Sequence, residues 1–71
     1  KAGSFKLALG EAEAAVNQVM GGEDEIVELS PQSAYIRRLQ HLIAQRNSLV
    51  SHSRGKEPDR RVRIYKEERG V

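Results

Sequence analysis

The apolar residues of the first twenty positions recur in threes and fours. Phe5, Ala8, Leu9, Ala12, Val16 and Val19 follow i, i+3, i+4, i+7 spacing, with Met20 beside them. That period predicts an amphipathic helix over about residues 5–20. Ser4 stands where an N-cap belongs, and Gly21-Gly22 where a helix stops. Gly10, in mid-helix, costs roughly 1 kcal/mol against Ala. After the glycine pair the period changes: Ile26, Val27 and Leu29 in EIVEL form a short β-rich run. It is predicted as a strand whose imperfect alternation leaves its buried face open.

A second helical pattern starts at Ser30 and Pro31, residues suited to the N-cap and first helical positions, and closes at Arg46-Asn47. Ile36, Leu39, Leu42 and Ile43 share a face bordered by Tyr35. With Ile36 at 0° and about 100° per residue, the centre of that stripe lies near about 300°. Arg37 falls near about 100° and His41 near about 140°, while Arg38, near about 200°, sits at the edge of the same polar face. The phasing predicts that Arg37 and His41 point to solvent, side by side and one turn apart.

Leu49 to Ser53 is the next strand candidate, followed by a turn cluster, RGKEPD, containing Gly55 and Pro58. RRVRIYK then alternates, with Val62 and Ile64 on one face and Arg61, Arg63 and Tyr65 on the other, as in a half-buried strand. The order is helix, strand, helix, strand, strand, with the last two strands forming an antiparallel hairpin. The fold class is α+β: a three-stranded antiparallel sheet with two helices packed on one face. Seventy-one residues make one small domain, 1–71, with loose ends at about 1–4 and 67–71. The chain starts with Lys, so KAGS reads as an expression remnant and the domain as a piece of a longer protein.

Composition narrows the function classes. There is no cysteine, hence no disulfide or thiolate metal site, which fits a reducing, cytoplasmic setting. No apolar run reaches about 18 residues and no leader pattern is present, so no membrane partner is expected. Charge is uneven. Over residues 1–34, Lys1 and Lys6 face six acidic residues; over 35–71, ten basic residues, eight of them Arg, face four acidic ones. An arginine-rich half suits a polyanionic partner, although a solvated surface has the same composition.

Catalytic chemistry finds little support. His41 and His52 are the two histidines, neither with a carboxylate at ligand spacing, and the acidic stretch GGEDE sits in a turn. Gly21-Gly22 leads into a strand rather than a helix, the wrong context for a phosphate-cradling loop. No enzyme activity, metal, cofactor or small-molecule substrate is expected. Arg37 and His41 are the candidate pair, one offering a bidentate fork for phosphate and the other a donor or a flat ring. Taken alone they are equally the wet side of an ordinary helix.

Two motifs in order add to that reading. RRLQH in the helix, followed by GKEPDRRVRI in the last strand, resembles the R-three-H domain, named for an Arg and a His separated by three residues. Its bacterial Jag-like members carry a segment similar to Gly55, Lys56, Glu57, Pro58, Asp59, Arg60, Arg61, Val62. The resemblance covers roughly residues 26–66. It implies the same three-stranded, two-helix fold, and non-catalytic binding of single-stranded DNA or RNA. The name-giving pair maps onto Arg37 and His41; the second motif maps onto Gly55, Glu57, Pro58, Arg60 and Arg61.

The expected interface therefore comprises Arg37, His41, Arg38, Arg60 and Arg61, acting mainly on phosphates, with one of Arg60 and Arg61 paired to Glu57. Arg63 and Tyr65 lie on the open sheet face, and His52 reads as a strand surface residue. Aromatic platforms are few: Phe5, read as core, Tyr35 and Tyr65. The alternative is a protein-interaction module that docks on a partner or on another domain of its parent. A P-loop ATPase is the larger parent the setting suggests.

Overall fold

The computed structural model describes the backbone of residues 2–67 and the side chains of residues 5–67. Residues 1 and 68–71, for which loose ends are expected, lie outside that range. Five elements follow in the expected order: α1 (Ala2–Met20), β1 (Ile26–Glu28), α2 (Ala34–Arg46), β2 (Val50–Arg54) and β3 (Arg61–Tyr65). The strands form one antiparallel sheet in the order β1-β3-β2, so the last strand in sequence is the central one. α1 packs on β1 and β3, α2 on β2 and β3, and the helices pack on each other. Between helices and sheet lies a core of Ala12, Ala15, Val16, Val19, Leu29, Ala44, Val62 and Ile64. Val62 and Ile64 alternate with outward residues on β3, as its period requires.

α1 begins at Ala2, ahead of the periodic pattern, so Ser4 falls inside the helix and not at its cap. Its C-terminus closes in a Schellman turn: Glu23 N–H donates to Gln18 O at 3.0 Å and Gly22 N–H to Val19 O at 3.2 Å. Gly22 takes the left-handed position at φ +79°.

α2 starts later than its sequence suggests. Its N-cap is Ser33, whose Oγ accepts from Ile36 N–H at 3.4 Å. The reason is the preceding backbone. Leu29 N–H donates to Val62 O at 2.8 Å and Gln32 N–H to Arg60 O at 3.3 Å, so this stretch stays extended alongside β3. Ser30 serves as a tether instead, donating from N and Oγ to Glu11 Oε2 on α1 at 3.1 and 3.0 Å.

The rotation of α2 also differs from the apolar phasing. The residues it buries are Arg37, Gln40 and Ala44, at about 100°, 40° and 80° on the same wheel. Leu42 remains 48% exposed and Tyr35 61% exposed. The helix is turned by more than about 90° from the hydrophobic stripe, and the N–H groups of its buried polar side chains find partners inside, while Gln40 Oε1 is buried without one. Gln40 Nε2 donates to Ala8 O on α1 at 3.0 Å, and Arg37 is satisfied as described below. Phe5, expected in the core, is 36% exposed and stacks on Tyr35 at 6.4 Å on the outer side of the helix pair.

Candidate functional site

Arg37 leaves the first full turn of α2 pointing inward and is 7% exposed, contrary to the solvent-facing position its spacing suggests. Its NH1 donates to Gln32 O at 2.6 Å and its NH2 meets Glu57 Oε2 at 2.9 Å. One guanidinium thus joins three segments: the approach to α2, the helix itself, and the β2–β3 loop. The planar guanidinium, with several N–H groups in a fixed fork, reaches two acceptors lying in different directions.

His41, one turn further on, packs against the helix-facing side of β2. Its Nδ1 is 2.6 Å from Ser51 Oγ and its Nε2 2.9 Å from Ser53 Oγ. Ser51 and Ser53 share a face by strand parity, and the imidazole spans both. A neutral ring donates from one nitrogen and accepts at the other, and serine hydroxyls complement either role. Burial holds the His41 pKa below its ordinary value, and the positive charges of Arg37, His52 and Arg60 push it the same way. An anion bound beside the ring would favour its protonated form.

Arg60 sits at the entrance to β3, its NH1 donating to Gly55 O at 2.6 Å. Gly55 has φ +88°, so the turn favours glycine for its backbone; a Cβ there would lie 2.6 Å from the movable tip of Arg61, NH1. The Glu57-Pro58 peptide in this loop is cis. The expected pairing of Arg60 or Arg61 with Glu57 is not formed: Glu57 belongs to Arg37, and Arg61 lies on the far side of the sheet. There Arg61 Nε meets Glu28 Oε1 at 3.3 Å, and Arg63 NH2 meets Glu28 Oε2 at 3.2 Å. Hydrogen bonds from Arg61 and then Arg63 hold the Glu28 carboxyl below its usual pKa.

The structure therefore divides the five candidate residues. Arg37, His41 and Arg60 converge where α2, the edge strand β2 and its loop meet. Arg38 is exposed on the outer side of α2. Arg61 is on the opposite sheet face, the one no helix covers. By register that face carries Ile26 and Glu28 from β1, Arg61, Arg63 and Tyr65 from β3, and Val50, His52 and Arg54 from β2. His52 is more than a surface residue: its ring stacks on Tyr65 with centroids 5.9 Å apart and planes 23° from parallel. The signal for that pair is the hairpin itself. Counting back from the loop sets His52 opposite Arg63 and diagonal to Tyr65.

Among the described residues no group of three or more His, Cys, Asp or Glu is placed to hold a metal. No helix among them is long and apolar enough to cross a membrane. In comparison with known proteins, the family profile of the R-three-H domain matches residues 9–66. A relative from Porphyra purpurea, uncharacterized protein ycf45, is 45% identical over 60 residues. The match takes in 84% of this chain and 11% of that protein, so the chain spans about a tenth of its relative's length.

Proposed function

The chain belongs to the R-three-H domain family, a family of nucleic-acid-binding rather than catalytic domains, and from that premise we propose that it binds single-stranded DNA or RNA mainly through phosphate contacts. The observation that carries this reading is geometric: His41, held between Ser51 and Ser53, and Arg60, held on Gly55 O, come together where α2, β2 and the β2–β3 loop meet. A phosphate seated beside the ring meets the Arg60 guanidinium and favours the protonated form of His41. In this reading His41 and Arg60 touch the strand, with Arg38 extending the cationic rim along α2. Arg37 acts from behind: its grip on Glu57 holds the loop that presents Arg60.

The test is an NMR titration of the isotopically labelled domain with a short unstructured oligonucleotide. Shifts should concentrate at His41, Arg60 and the loop of residues 55–60, and Arg60→Ala with His41→Ala should weaken binding. If the oligonucleotide moves no signals in this region, the reading is wrong. Operation inside a cytoplasmic parent such as a P-loop ATPase belongs to the same proposal; the reading frame around this chain tests it.

A further inference from the structure

The uncovered face of the sheet combines three features that an ordinary solvated face does not need together. Arg54, Arg61 and Arg63 stand in adjacent register positions there, with Arg54 opposite Arg61 and His52 opposite Arg63. A single carboxylate, Glu28, bonds two of the three. Beside them His52 and Tyr65 form a stacked pair, Tyr65 half-buried and His52 exposed. A flat ring fixed from one side and open on the other is a stacking surface for a third ring. Cations around it suit an anionic chain that carries such rings.

We propose that this open sheet face is a base-stacking platform for single-stranded nucleic acid. A nucleobase adds to the His52–Tyr65 stack, and Arg54 and Arg63 meet the phosphates on either side. This inference rests on the nucleic-acid reading above and extends it to the opposite side of the sheet. The connection between the two surfaces is β2 itself. Ser51 and Ser53 turn toward His41 while His52 and Arg54 turn the other way, so both surfaces border one edge strand. A strand whose phosphates lie by His41 and Arg60 therefore reaches the platform by passing over the rim of β2. Stacking on an aromatic ring tolerates any base, so the platform adds affinity without sequence preference.

The experiment compares two probes of equal phosphate number, an oligothymidylate and its abasic counterpart, by fluorescence anisotropy on the full chain. One stacked base is worth roughly five- to a hundredfold in affinity. The wild-type protein should favour the base-bearing probe by at least about fivefold. His52→Ala and Tyr65→Leu should each bring the ratio of the two affinities toward unity, with thermal melts confirming that the variants fold. His52→Ala is the safer of the two, because His52 is exposed. A wild-type ratio near unity, with both probes bound, overturns the platform and leaves the phosphate reading standing. A ratio that survives both substitutions also overturns it, because the bases then stack elsewhere. Failure to bind either probe removes the nucleic-acid reading and the platform with it.

Discussion

Arg37 and Glu57 meet at 2.9 Å, but they share the pair unequally: the arginine side chain is 9% exposed and the glutamate 61%. Removing either breaks the same contact and leaves a different remainder. Arg37→Ala also strips Gln32 O of its donor, so it should cost about 2–3 kcal/mol, the range of a hydrogen bond to a charged group. Glu57→Ala leaves Arg37 bonded to Gln32 O and should cost less than about 1 kcal/mol, as exposed ion pairs do. Urea unfolding of the two variants measures the difference. Equal losses would mean that Arg37 has no separate bracing role.

His41 makes stability depend on pH in a definite direction. Its folded pKa lies below the ordinary 6.5, so the folded state resists the proton and the unfolded state accepts it. Its contribution is complete above the unfolded value and is lost as pH falls through the folded one. His41→Gln should flatten this part of the profile between about pH 7 and pH 5, measured as unfolding midpoints against wild type.

Nucleic-acid affinity should run the opposite way. A phosphate beside His41 raises the pKa of the complex over that of the free protein, so binding takes up a proton and strengthens as pH falls below about 7. His41→Gln should remove that increment. A wild-type affinity that is flat across this range would show the ring acting as a neutral donor.

Salt reports how many phosphates are met. Contact with about three or four of them on a single strand gives a slope of log affinity against log salt of about −2 to −3. Arg60→Ala should lower its magnitude by about 0.7. Anisotropy titrations at several salt concentrations test both values.

Two turn positions call for opposite substitutions. Ser48 closes α2 in a left-handed conformation, φ +60°, with Leu49 N–H donating to Ala44 O at 2.9 Å. Ser48→Gly should therefore stabilise by about 0.5–1 kcal/mol. Gly55→Ala meets a positive φ and the Arg61 guanidinium together and should destabilise by about 1–3 kcal/mol. Thermal melts of the two variants should shift in opposite directions.

The order and type of all five elements are legible in the sequence, since hydrophobic period and glycine placement decide them. The antiparallel hairpin and the inward side of β3 follow from alternation at Val62 and Ile64. The rotation of α2 does not. Period analysis places Arg and Gln outside by default, and Ala44 carries too little hydrophobicity to pull the stripe round. Arg37 and Gln40 are buried only because Gln32 O, Glu57 and Ala8 O are waiting for them, and those partners are distant or main-chain groups that no spacing rule reveals. The late start of α2 has a similar cause. Ser30 is a sound cap by residue type, but the ladder to β3 keeps its backbone extended. At the candidate site, spacing alone sets Arg37 and His41 one turn apart; the side of the helix they occupy depends on Glu57, Ser51 and Ser53, which spacing does not locate.

The position of β3 has a consequence for synthesis. β1 and β2 flank it and do not pair with each other, so neither has a neighbour until β3 arrives. On the ribosome the two helices can meet while the sheet remains unmade. The pairing of Ile26 with Tyr65 forms only once Tyr65 has left the exit tunnel. A chain halted before Arg61 would carry both helices, the Arg37 and His41 side chains, and two unpaired strand edges. Both edge strands thus depend for their backbone partners on the last strand to be made.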